Sequence, residues 1–340
     1  MATIPLAYST RNELVEGVHR GAIAVTNPSG ELLFSLGDPD YRTFLRSSIK
    51  MIQAIPVIES GAADRFGFDE AMLSICCASH TAADYHVQTV RKMLEKIGLG
   101  EGALKCGGHL PEDREMRERL IRLEATPTAI YNNCSGKHTG MLAACVANDW
   151  STEGYLHLDH PLQQRILALV AEYCGLPEEA ISLGIDGCSL PTYYVPLQNA
   201  ARAAACFMER AAGEGIPEER LMQSMARHPE MVYAEGGYDT ELIRTFGGRC
   251  YAKRGAMGVM LVGIVTPDGP IGIAAKMEDG ENRPMPVVMT GLLHHLGLLS
   301  REDLVMVEKF LVAPITNWNG MHVGDIQSAT ISQETETQPG

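Results

Sequence analysis

Apolar residues gather in short strand-like runs at two widely separated places along the chain. Residues 21–26 (Gly-Ala-Ile-Ala-Val-Thr) and 31–35 (Glu-Leu-Leu-Phe-Ser) flank the turn cluster Asn27-Pro28-Ser29-Gly30 and predict a β-hairpin. Far downstream, residues 257–265 and 271–276 flank Pro267-Asp268-Gly269-Pro270 in the same way. The two hairpins are expected to join in one antiparallel sheet drawn from both ends of the chain. Between them the spacing turns helical, over 82–98, 111–124, 137–149, 160–175, 196–212 and 217–231. Several of these helices open on proline (Pro111, Pro161, Pro217), which suits a first turn because it has no N–H to leave unpaired. Two more helices, 284–297 and 300–311, follow the second hairpin. The expectation is an α/β fold: an antiparallel sheet of N- and C-terminal segments, with a large helical insertion at about 60–240. No internal repeat or linker divides the chain, so residues 1–331 are expected to form a single body and the polar 332–340 a flexible tail.

Composition narrows the function. Of 340 residues, 42 are acidic and 28 basic, a net charge of −14, which argues against nucleic-acid or anionic-membrane partners because both reward positive surface. No apolar run approaches the ~20 residues that cross a bilayer. The opening residues lack a basic patch followed by an apolar stretch, so a cytoplasmic location is expected. Nine cysteines, with Cys76 and Cys77 adjacent in an apolar segment, do not resemble a secreted disulfide framework.

Four polar segments carry candidate chemistry. In Ser47-Ser48-Ile49-Lys50 a helix start would place Ser47 and Lys50 at i and i+3 on one face, where the amine could take the seryl proton once its pKa is lowered. This S-x-x-K spacing is also a nucleophile motif of serine β-lactamases. The lysine lies among Ile49, Met51 and Ile52, a setting unusual for a merely solvated side chain. Ser79, in Ala78-Ser79-His80-Thr81, ends an apolar segment and is a second candidate hydroxyl or a helix cap; His80 and His86 are weaker acid–base candidates. Cys134, in Asn133-Cys134-Ser135-Gly136-Lys137-His138, and Cys188, in Asp186-Gly187-Cys188-Ser189, suit a metal better than a core. From chemistry alone Cys134, His138 and Cys188 are the zinc candidates, and Lys137 is a poor first choice because its amine must first lose a proton. Lys253 stands at the entry to the second hairpin, as a catalytic base or simply a charged strand end.

Together these segments resemble the rhizobial-type L-asparaginase family, also called asparaginase II. The resemblance rests on Arg46-Ser47-Ser48-Ile49-Lys50, Ala78-Ser79-His80, the 133–141 segment, Asp186-Gly187-Cys188-Ser189-Leu190-Pro191 and Lys253-x-Gly-Ala, in order over about residues 5–320. It implies a serine β-lactamase/glutaminase-like fold, a homodimer, and hydrolysis of L-asparagine to L-aspartate and ammonia. It also implies two Ser–Lys pairs, Ser47 with Lys50 and Ser79 with Lys253. The zinc ligands it implies are Cys134, Lys137 and Cys188 with a water, displacing His138; Arg46, His138 and Asp186 would lie near the substrate or the metal-bound water. One departure stands out: an acidic residue is expected after Gly-Ala, and this chain has Met257.

The expected chemistry is acyl transfer from the side-chain amide to a serine. Spacing favours Ser47 as nucleophile, with zinc positioning the substrate. The rival readings are an amidohydrolase for glutamine or a β-lactam, and a non-catalytic zinc-binding scaffold.

Overall fold

Both hairpins form, and they pair with each other. The computed structural model describes residues 2–329, and the segment expected to be a flexible tail, 332–340, lies outside the described residues. Its strands are β1 (Ile4–Arg11), β2 (Leu14–Thr26), β3 (Leu32–Leu36), β4 (Arg42–Phe44), β5 (Ser182–Ile185), β6 (Pro191–Pro196), β7 (Cys250–Gly255), β8 (Val259–Thr266), β9 (Gly269–Met277), β10 (Val312–Thr316) and β11 (His322–Ser328). Val25 faces Phe34 in the first hairpin and Val262 faces Ile273 in the second, while Ala24 opposite Ala274 joins the two. The antiparallel sheet runs β10-β11-β1-β2-β9-β8-β7, with β3 also paired to β2. The fold is therefore α/β, with its main sheet built from both ends of the chain.

A second sheet, β4-β6-β5, takes β5 and β6 from inside the region read as a helical insertion and β4 from just before it. Its strands of three, six and four residues are too short to show a periodicity of their own. The helices themselves fall within a few residues of expectation. The one expected from Pro111 starts at Arg114, because Asp113 accepts a hydrogen bond from the Met116 N–H and caps the turn. Among the described residues, no helix is long and apolar enough to cross a membrane.

Two packing features position the site. The helix Leu197–Arg210 lies on β8 and β9 through buried Ala200, Ala201, Ala203, Ala204 and Ala205. The approach is so close that a Cβ on Gly272 would sit 1.9 Å from the Ala201 carbonyl oxygen. Small residues on both partners thus set the distance between helix and sheet. The helix Lys50–Glu59 is buried along nine of its ten residues and packs against the helices Ser135–Ala147, Pro161–Cys174 and Pro217–Arg227. A helix apolar nearly all round belongs at the centre of a fold, and this one carries Lys50 there.

Gly272→Val should lower stability by at least about 2 kcal/mol through overpacking against backbone, read as a reduced denaturation midpoint. Gly100→Ala, where a Cβ meets nothing within 4 Å, should leave that midpoint unchanged.

Candidate active site

Four loops and helix ends converge beside the end of β7. A 3₁₀ turn, Arg46–Ile49, leads into the central helix and contains Ser47. Gly255 closes β7 against this turn: a Cβ there would lie 2.9 Å from the Leu45 oxygen and 3.3 Å from the Ser48 nitrogen. The 78–82 segment is held by hydrogen bonds from the Ser79 N–H to the Val232 carbonyl (2.9 Å) and from the His80 N–H to the Asn133 carbonyl (3.2 Å). The helix Ser135–Ala147 starts just after Cys134, and the turn between β5 and β6 presents Asp186 and Cys188.

Lys50 is fully buried, and its ammonium donates to the Ala78 carbonyl (2.5 Å), Ser79 Oγ (2.9 Å) and Cys134 Sγ (3.2 Å). Three donors meet three acceptors. The pairing differs from the one the resemblance implies, because Lys50 reaches Ser79 and not Ser47. Ser47 Oγ has no hydrogen-bond partner among the described residues. It lines, with Ser79, Asn133, Glu112, Tyr233 and Arg254, a cavity of about 160 Å³.

Lys253 does not pair with Ser79 either. Its amine donates to the Arg254 carbonyl (2.9 Å) and lies 3.3 Å from Asp239 Oδ2. Burial pulls its pKa down to about 8 against the opposing pull of Asp239, and the charge of Lys50 adds to the lowering. Asp239 is itself fully buried, accepts from the Arg254 N–H (3.0 Å) and stands 3.5 Å from the Arg254 Nε. It is a carboxylate wedged between two cations.

The expected metal residues also meet. Lys137 Nζ is 3.3 Å from Cys188 Sγ. Cys188, with Lys50 and Lys137 nearby, holds the Cys134 thiol well below its usual range, while Cys134 and burial push Cys188 up. Among the described residues no group of three or more His, Cys, Asp and Glu side chains could hold a metal ion. The Cys134, His138, Cys188 set is therefore not assembled.

The expected substrate-binding residues lie off the cavity wall. Arg46 Nε and Asp186 Oδ1 form an ion pair of 2.6 Å, and Asp186 Oδ2 is 3.8 Å from Cys188 Sγ. Burial pushes the Asp186 carboxyl up, but Lys137 and Arg46 outweigh it and hold it below its ordinary value. His138 is fully buried, with its Nδ1 2.7 Å from the Tyr155 hydroxyl and its Nε2 without a partner among the described residues. His80 accepts from the Ala82 N–H at Nδ1 and bonds Ser135 Oγ through Nε2, and burial keeps it neutral, so it braces its own loop. Asp239, Arg254, Tyr233 and Glu112 had no sequence signal beyond proximity to Lys253 or to a helix start. Met257 sits on the turn after β7, 56% exposed, and does not line the cavity.

The L-asparaginase II family matches residues 7–328. The chain belongs to that family. No curated protein matches it. Solved structures that align with it include a crystal structure of Mglu in its native form (14% identity, TM-score 0.43), over 82% of this chain and 61% of that one. The chain thus spans about three fifths of that Mglu structure's length. A Bacillus glutaminase aligns at 12% identity and TM-score 0.35, over 82% of this chain and 91% of that one. A putative β-lactamase from Bacteroides dorei aligns at 16% and 0.41, over 76% and 85% respectively.

Asp239→Asn should cost about 3–5 kcal/mol, because it strands Lys253 as a buried charge without its counter-ion. Adding Lys253→Met should return most of that loss, and chemical denaturation of the single and double variants measures both.

Proposed function

We propose that this protein is an amidohydrolase that converts L-asparagine to L-aspartate and ammonia through a seryl ester. Family membership supports amide hydrolysis, and the contact that carries the mechanism is the 2.9 Å hydrogen bond between Lys50 and Ser79 on the cavity wall. A nucleophile needs a base within hydrogen-bond reach. Once deprotonated, Lys50 turns a lone pair to the Ser79 hydroxyl, takes its proton, and leaves Oγ to attack the amide carbon. The amide nitrogen departs as ammonia after gaining a proton, and water then hydrolyses the aspartyl ester.

Ser47 is the second reading for the attacking hydroxyl. Its Oγ is unpartnered and faces the same cavity. The preceding residue, Arg46, is held at a φ of +51°, a left-handed conformation that costs a non-glycine residue about 1–3 kcal/mol and is often found at functional sites. In that arrangement Ser79 and Lys50 relay the proton.

Zinc belongs to the same reading. Cys134, Cys188 and Lys137 would hold it, a donor set of two sulfurs and a nitrogen that suits this borderline-soft ion. The observation in favour is the close approach of Lys137 Nζ to Cys188 Sγ, at 3.3 Å. Lys137, whose pKa is raised by the neighbouring sulfurs despite its burial, must give up its proton. Bound there, zinc would supply a positive charge beside the cavity. Cys134 and Asn133 connect the two places, because the Cys134 thiol is 3.2 Å from Asn133 Oδ1 and Asn133 lines the cavity.

Ammonia release from L-asparagine should fall at least ~10³-fold in the variant lacking the attacking hydroxyl, and trapping the acyl adduct should locate it on Ser79 or Ser47. No release from asparagine, glutamine or a β-lactam would overturn the reading. Elemental analysis should find about one zinc per chain, lost in Cys188→Ser and kept in His138→Gln.

A further inference from the structure

The cavity carries two opposite charges that the hydrolytic chemistry does not use. Tyr233 stands between them. Its hydroxyl donates to Glu112 Oε2 at 2.8 Å, and the Arg254 guanidinium lies over its ring, 3.7 Å from the centre. Burial lifts the phenol's pKa to about 12, so Tyr233 remains a donor.

Each charge has an open side. The Nε edge of Arg254 faces Asp239 Oδ1 at 3.5 Å, which anchors the group, whereas neither terminal nitrogen makes a hydrogen bond among the described residues. Those two N–H groups form the fork that grips a carboxylate through two parallel hydrogen bonds. Glu112 Oε1 likewise has no partner, and no ion pair joins Glu112 to Arg254. The Tyr233 ring holds them apart, so that each charge is available to something between them.

We infer that Glu112 and Arg254, both fixed on Tyr233, read the α-ammonium and α-carboxylate of a free amino acid. This rests on the amidohydrolase reading of the same cavity and assigns its specificity. A substrate with a carboxylate and no amine, as in a β-lactam or a simple acid amide, would leave Glu112 facing an anion, which the site resists by like-charge repulsion. A peptide-embedded asparagine would present neither charge. The pocket's carboxylate thus comes from the 111–113 segment, while the position after Gly-Ala, where one was expected, is Met257 pointing elsewhere.

Calorimetry with three probes tests this: L-aspartate, which carries both groups, succinate, which lacks the amine, and β-alanine, which lacks the α-carboxylate. Wild type should bind L-aspartate at least tenfold more tightly than either. Glu112→Gln should weaken L-aspartate at least tenfold and bind succinate no more weakly than wild type does. Arg254→Met should weaken L-aspartate similarly and leave β-alanine within twofold, with Arg254→Lys intermediate because it keeps the charge and loses the fork. Equal weakening of all three probes, L-aspartate binding within twofold of wild type in both variants, or no binding of L-aspartate by wild type would overturn the inference. Selective binding without turnover of any amide would instead reject the hydrolase reading alone, and asparagine turnover with unselective binding would reject this inference alone.

Discussion

Two ammonium groups have been carried into the interior, and much of the surrounding architecture is what that demands. Lys50 and Lys253 are no more than 1% exposed. Removing such ions from water costs several kcal/mol each unless acceptors replace the lost solvent. For Lys50 the replacements are a carbonyl, a hydroxyl and a sulfur, drawn from segments 28 to 84 positions away. For Lys253 they are a neighbouring carbonyl and a carboxylate on the helix Tyr238–Phe246. The two solutions differ in consequence. Polarisable acceptors tie Lys50 to a hydroxyl on the cavity wall, whereas burial lowers the pKa of Lys253 to about 8 against the opposing pull of Asp239.

The thiol pair continues the same balance. Cys134 accepts from Lys50, Lys137 lies against Cys188, and the Arg46–Asp186 ion pair continues an alternation of charge from the cavity inward. Four non-glycine residues with left-handed backbone fall in the loops around this chain of contacts: Arg46, Ala82, Ser189 and Met257. None is asparagine or aspartate, the side chains that tolerate this conformation best. Local backbone preference has been overridden by the need to aim neighbouring groups.

What could be read from the amino acids alone follows the same division between local and distant causes. The hairpins were legible because their turns carry Pro, Gly and Asp between apolar runs, and the long helices because their spacing repeats over several turns. β1, β7, β10 and β11 were not, since they are recognisable as strands only beside the partners they pair with. At the site, the residue types in Ser47, Lys50, Ser79 and Lys253 were visible, and all four come together beside β7. Their pairing was not, because i and i+3 in a 3₁₀ turn brings two backbones onto one face without deciding where a long lysine side chain points. Asp239 looked like an acidic residue at the start of a helix, an ordinary place for it. Only its complete burial reveals it as the counter-ion of Lys253.

The pairing of Ala24 with Ala274 has a consequence in time. A ribosome adding ~5–20 residues per second needs roughly 12–50 seconds to go from one to the other. Through that interval the amino-terminal hairpin has been made while the strand that will complete it has not. Its bare edge is the kind of surface that recruits wrong neighbours, so the nascent polypeptide passes most of its elongation dependent on shielding from its own helices or from chaperones.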